Sequence, residues 1–440
     1  MKRCEAGECM EIRYRYRKRD CDRQSSVDRF VSSRFTVQLI DQITMTISFH
    51  ITSRTLFFSA LLFVCPLVAS AQSTVSKLEK LLRSDAAFQD SDFAALEKGE
   101  TVVRSLKSKE KREVSIYGVI KLRNVPEISL TELVEKLSQK ENKTVIGYGL
   151  FGRPPVQDDM RALALEDRDL DDMRKCEVGD CDLKLSAAMI RRLQSEVDWD
   201  APDYRLRATQ LFRQMLAEYV NDYLRRGDDA LLQYDNRKTP VKLSDDHRML
   251  LEGMLFMDEV SPEFGKYLRK FPGVELTGVE NTLDWTKVDF GLKPIVTITH
   301  TASISFKDNN IPQFLIATKG IYASRYVDSS MALIILVRES VNDATNAYLV
   351  FTNISRSSSL SGLFGGLKRS IVSADSEGRV KEMLLESRAK LEQAAKATIP
   401  TSPPVVENGS SRYFRNPVVL AAAVLIAGLA AYFLFRRRRP

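Results

Sequence analysis

The sequence predicts an α+β fold: a curved antiparallel sheet with a long C-terminal helix, a helical insertion at about 150–280, and a C-terminal transmembrane helix. Three observations carry this. Residues 282–354 divide into β-rich runs separated by turn residues such as Asp308-Asn309-Asn310 and Asn342-Asp343. A helical stretch, Ser376–Lys396, follows them, and Pro417–Phe435 is an uninterrupted apolar run. Strands and helices kept apart along a chain argue for α+β, not for a parallel βα alternation.

Taken in order, residues 1–44 contain RYRYRKRD and no apolar periodicity, and are expected to be a non-native or extended N-terminal segment. Residues 45–71 read as a signal peptide. Arg54 supplies a short basic region, Leu56–Val68 the apolar stretch, and Ala69-Ser70-Ala71 the small-residue cleavage pattern. The exported α+β domain is then 72–398. It opens with short helical pieces at Ser76–Arg83 and Phe88–Leu96. Val114, Ile116, Gly118, Ile120 and Leu122 follow at the period of a strand with one buried face. Helical spacing at Leu130–Leu137 and a strand at Thr144–Tyr148 come next.

The middle third is helical. Pro202 is expected in the first turn of a helix whose stripe is Leu206, Phe212, Met215, Tyr219, Val220 and Tyr223, and Gly227 stops it. A second helix begins at Ser244, carrying Leu250, Met254 and Met257, with His247 expected at the surface. The strands are Leu283–Leu292, Pro294–Phe306, Gln313–Ala323, Met331–Val337 and Tyr348–Ile354. Val380, Met383, Leu384 and Leu391 give the closing helix one apolar side.

Residues 399–416, rich in Pro, Ser and Gly, form a linker to the membrane helix 417–435, and the Arg tail at 436–440 is expected to stay in the cytoplasm by the positive-inside rule. Both termini therefore predict one address, a single-pass envelope protein with its main domain extracytoplasmic. The +7 formal charge belongs to these ends: residues 1–44 hold ten Lys/Arg against seven Asp/Glu, and four arginines close the chain. The exported body is nearly neutral, which removes the electrostatic case for a nucleic-acid partner.

IATKGIYASRYVDSSMALIILVRE, NAYLVFTNISRS and the helix from Ser376 form an antiparallel meander closed by a long helix, an arrangement that resembles the helix-grip fold of the START and polyketide-cyclase superfamily. The resemblance covers about 280–397 and implies an apolar cavity between sheet and helix that takes a lipid or other hydrophobic small molecule. It implies no cofactor and no invariant catalytic motif. The expected ligand-binding residues are His300, an imidazole interrupting the apolar face Val296, Ile298, Ala302, Ile304 and Phe306, together with Tyr322, Tyr326 and Asp328. A protein-interaction scaffold, or an enzyme using His300 as acid or base, are the alternatives.

Established catalytic signatures are missing. The chain has three histidines and no H-E-x-x-H, G-x-S-x-G, Walker or Rossmann pattern, so no metal site is expected. The acids of LEDRDLDDMRK, 165–175, interleave with bases and read as a solvated face. SSSLSGLFGGLKRSIV, 357–372, reads as a strand-to-helix connection or a mobile flap. Cys4, Cys9, Cys21 and Cys65 precede the cleavage site, which leaves Cys176 and Cys181 as an even pair in an oxidising compartment, expected to be a disulfide closing a small loop.

Overall fold

The structure, a computed structural model, describes residues 74–108, 110–125, 145–289, 293–308, 311–341, 344–362 and 365–397. Two helices open the chain, Thr74–Ser84 (α1) and Asp90–Glu97 (α2). Strands Thr101–Leu106 (β1), Glu113–Leu122 (β2) and Val145–Leu150 (β3) follow. The helical middle comprises Asp167–Arg174 (α3), Ala187–Glu196 (α4), Tyr204–Arg226 (α5), Leu243–Glu252 (α6), Leu255–Val260 (α7) and Pro262–Lys270 (α8). A two-residue pairing, Gln233–Tyr234 (β4) with Val241–Lys242 (β5), sits between α5 and α6. The meander is Glu280–Val288 (β6), Ile295–Asp308 (β7), Ile311–Ala323 (β8), Ser329–Val341 (β9) and Ala344–Arg356 (β10), and Gly365–Ala397 (α9) closes the fold.

All these strands but β4 and β5 form one curved antiparallel sheet in the order β1-β2-β10-β9-β8-β7-β6-β3. Sequence-adjacent strands pair through the meander, while β1 and β2 close on β10 and β3 adds to β6 at the opposite edge. The fold class expected from the sequence is thus present in its α+β architecture, large antiparallel sheet and long last helix.

The sheet is covered on both faces. On one, Val380, Leu384 and Leu391 of α9 pack with Ile116 and Ile120 of β2, Ile316 of β8, Ile334 and Leu336 of β9 and Phe351 of β10. On the other, α1, α2 and α6–α8 cover Tyr117, Val119, Leu315, Leu333, Ile335 and Val350, while α3–α5 pack on Trp285, Val296, Ile298 and Tyr322. This corrects the single buried face expected for β2, where nine of the ten residues of Glu113–Leu122 are buried. Alternation reports one covered face only when the other meets water; with helices on both sides, apolar side chains fill both parities. Gly118 marks the close approach of α9: a Cβ there would stand 2.6 Å from Leu384 Cδ1 and 2.7 Å from Val380 Cγ1.

Several boundaries move. α9 begins at Gly365, eleven residues before the expected start, so the glycine-rich connection is largely helix. α5 starts at Tyr204 with Pro202 outside it, and Leu206, placed on the buried stripe, is exposed; the other five stripe residues are buried. Gly227 does end the helix at φ +59°, and a Cβ there would collide with the Phe271 carbonyl oxygen, so only glycine fits. The expected helix at Leu130–Leu137, the signal segment and the membrane helix 417–435 lie outside the described residues. Among the described residues no helix is long and apolar enough to cross a membrane.

Candidate functional site

His300 lies on β7, on the face packed by the helical middle. The Tyr223 hydroxyl donates to its Nδ1 at 2.9 Å; its Nε2–H donates to Asn281 Oδ1 at 2.9 Å, an oxygen that also accepts from the Tyr267 hydroxyl at 2.9 Å. Phe271 and Tyr223 pack against the ring. Burial, with the Lys319 and Arg153 charges adding to it, pulls the imidazole pKa down to about 3. It is a neutral histidine with both nitrogens used. His247, expected at the surface, is buried instead, because α6 turns it inward to donate Nε2–H to the Gly320 carbonyl at 2.9 Å. Burial and the Lys319 charge hold its pKa well below the ordinary value.

The other expected ligand residues lie in separate surroundings. Tyr322 follows a bulge in β8, opposite Ile298, and its buried hydroxyl has no hydrogen-bond partner; its ring meets Tyr234 edge-on. Tyr326 sits in the β8–β9 turn at φ +59° and donates to the Lys293 carbonyl at 3.3 Å. Asp328 is the centre of a buried ion network. It accepts from the Ser358 amide and hydroxyl at 2.6 Å each and pairs with Lys184 and with Arg112. Arg112 and Arg356 both reach Asp246, and Arg356 also binds Glu113 at 2.9 Å. These three cations and three carboxylates, with the more exposed Glu110 3.8 Å from Arg112 as a fourth carboxylate, tie the β1–β2 loop, α6, the β8–β9 turn and the end of β10 into one clamp.

The acids of 165–175 are likewise not simply solvated. Asp169 is buried and, with Asp172, holds the buried Arg325, while Lys293 binds Asp172 and Asp182. Next to this, Cys176 and Cys181 form the expected disulfide, with Gly179 at φ +89° turning the chain between them.

The sheet face shared with α9 holds a feature that residue-by-residue reading missed. Asp284, Thr286, Thr297, Thr299, Thr301, Ser303 and Thr318 all point to it. Two rows cross it in register. One runs Leu150, Asp284, Thr299, Gly320, Ser330, Ser355; the next runs Thr282, Thr301, Thr318, Ala332, Asn353, Ile116 and ends beneath α9. The hydroxyl of Thr286 bonds that of Thr297 at 2.7 Å, and Ser355 donates to Asn353 Oδ1 at 2.7 Å. Asp284 is different. Its relative exposure is 0%, and neither carboxyl oxygen has a hydrogen-bond partner. The Thr301 and Thr318 Oγ1 atoms, directly opposite one another in the ladder, are buried and unpartnered too. Burial alone pushes the Asp284 carboxyl well above the ordinary carboxylate range. The signal was legible only once register was known: an acid within the run Leu283–Leu292 reads as a solvent-facing strand residue until both faces prove covered.

This floor has a polar corner at β6, β7 and the adjoining part of β8, and grades into the apolar residues Ile316, Ile334, Phe351 and Ile116 under α9. Such a surface can bind an amphiphilic molecule, polar end toward Asp284 and apolar body along the sheet. No protein-family model matches the chain, and no curated protein is similar to it in sequence.

Proposed function

We propose that the protein is an envelope protein, anchored through residues 417–435, whose extracytoplasmic α+β domain binds a lipid or other hydrophobic small molecule on the α9 side of its sheet. The single observation that carries this is the set of buried, unpartnered oxygens of Asp284, Thr301 and Thr318 beside an apolar floor. Leaving such groups unmet costs about 1–3 kcal/mol each, so a fold that retains several on one face is organised for something that meets them. The meander, the long closing helix and their order support a helix-grip arrangement, with the helical middle as an insertion between early and late strands. Its packing against the opposite face leaves the α9 side as the ligand side. His300 and His247, sealed among packed side chains, support a binding domain over imidazole acid–base chemistry.

The test uses the full chain, expressed with export and purified in detergent. Native mass spectrometry is expected to show a retained small-molecule adduct that organic extraction releases. A bare protein mass before and after incubation with total envelope lipid would overturn the proposal.

A further inference from the structure

We propose that the ligand's polar end is an ammonium group seated on Asp284 with the Thr301 hydroxyl beside it and that of Thr318 one strand further on; this rests on the ligand-binding reading above. The described residues bury five carboxyl side chains: Asp92, Asp169, Asp246, Asp284 and Asp328. Four face a cation of the chain itself: Asp92 has Arg104, Asp169 has Arg325, Asp246 has Arg112 and Arg356, and Asp328 has Lys184 and Arg112. Asp284 has none. The fold's own rule for buried acids is met everywhere except here, and what is missing is a positive charge.

The atoms around the position agree. On β6, β7 and the adjoining part of β8 the unmet groups of this face are oxygens, two from the carboxyl and two from the hydroxyls of Thr301 and Thr318; the guanidinium nitrogens of Arg338 and Arg388 that lack a hydrogen bond belong to β9 and α9. Thr299 lies opposite Asp284 on β7 and Leu150 opposite it on β3, with Gly320 next in the row, so no bulky side chain of β8 stands in line with the carboxyl. Diagonal neighbours on adjacent strands lie about 7–8 Å apart, which places Thr301 within reach of a group that also touches Asp284. The titratable neighbour of Asp284 on this face is Tyr148, two positions from Leu150 on β3 and opposite Thr286, whose phenol burial holds neutral. An ammonium donates up to three hydrogen bonds and accepts none, which suits the ionised carboxyl and hydroxyl oxygens as acceptors; a carboxylate or phosphate head would meet the Asp284 carboxyl with no base beside it.

Charge balance gives the proposal a signature. Burial raises the carboxyl's pKa well above the ordinary carboxylate range, which favours its neutral form when no ligand is bound. When an ammonium seats, the acid ionises and its proton leaves to solvent, so the neutral acid plus the cation become an ion pair plus one released proton. A hydroxyl head would bind without this release.

The experiment takes the full chain in detergent micelles at neutral pH and titrates in three six-carbon probes, hexylamine, hexanol and hexanoate, by calorimetry in buffers of different ionisation enthalpy. Hexylamine is expected to bind about 10-fold more tightly than the other two, as a charge-assisted hydrogen bond allows. About one proton should be released per amine bound. Asp284→Asn should bring hexylamine down to the affinity of hexanol and leave hexanol unchanged. Equal affinity for hexanol and hexylamine, or amine binding without proton release, overturns the head-group assignment while the apolar site stands. Binding of none of the three overturns the ligand-binding reading itself. Proton release is read on the wild-type protein, so the test holds even where Asp284→Asn fails to fold.

Discussion

Three buried titratable residues shape the pH response, and they act in opposite senses. His300 and His247 have native pKa values below the ordinary 6.5, so between those values and about pH 6.5 the unfolded chain binds more protons, and stability falls as pH falls. Asp284 has a native pKa far above its ordinary value, so the native state binds the extra proton, and stability falls as pH rises above about 4. Each group at full difference contributes about 1.4 kcal/mol per pH unit. The histidines prevail below about pH 6.5, and above it Asp284 alone of the three still slopes downward. Asp284→Asn should therefore remove the downward contribution that sets in above about pH 4 while keeping the histidine limb, read from denaturant midpoints at each pH. A variant that declines in parallel with the wild type would show that the carboxyl is already ionised in the fold. The burial of His300 was legible from the apolar strand face it interrupts; that of His247 was not. His247 follows two aspartates in a helical first turn, a pattern shared with exposed helices, and only the packing of α6 onto β8 and β9 decides between them.

The elements themselves were largely visible, because periodicity is a local property. The five strands of the meander, the stop at Gly227 and the apolar side of α9 all followed from spacing and punctuation. β1 and the β4–β5 pair did not: the first is short and at an edge, the second is two residues per strand, below any period. What spacing could not supply was register, and register creates the candidate site by bringing Asp284, Thr301 and Thr318 from three strands onto one floor. The same geometry makes Gly118 the seat of α9, since its missing side chain lets Val380 and Leu384 approach β2. Gly118→Val should cost about 1–3 kcal/mol through overpacking, seen as a lowered melting temperature. Val119→Ile, on the opposite face of the same strand, changes one methylene against α1, α2 and the helices after α5, and should leave α9 in place. Equal resistance of α9 to limited proteolysis in Gly118→Val and wild type would show that the helix does not depend on that contact.

At the scale of the whole molecule, the disulfide and the two apolar segments make one claim about compartment. Cys176 and Cys181 enclose a small loop whose backbone is tied to the segment after β4: the Gly179 and Cys181 amides donate to the carbonyls of Asp235 and Asn236. Loop-closure entropy for so short a span gives the bridge about 2 kcal/mol, enough to hold this loop beside the Arg325 cluster but not to staple the domain. Such a bridge persists only where thiols are not kept reduced, which is what a signal at 45–71 and an anchor at 417–435 with arginines behind it would provide. Thiol alkylation in cells tests all three together. In the full chain both cysteines should resist a mass-tagging reagent until reductant is added, and in a chain lacking 45–71 both should be tagged at once. Protease reaching the outer face of the membrane should digest the body while leaving a tag fused after Pro440 intact, and deletion of 417–440 should move the oxidised body to the soluble fraction. Direct tagging of the full chain, or loss of the C-terminal tag to external protease, would sink the proposed topology. It would leave the floor around Asp284 to be explained by a cytoplasmic ligand.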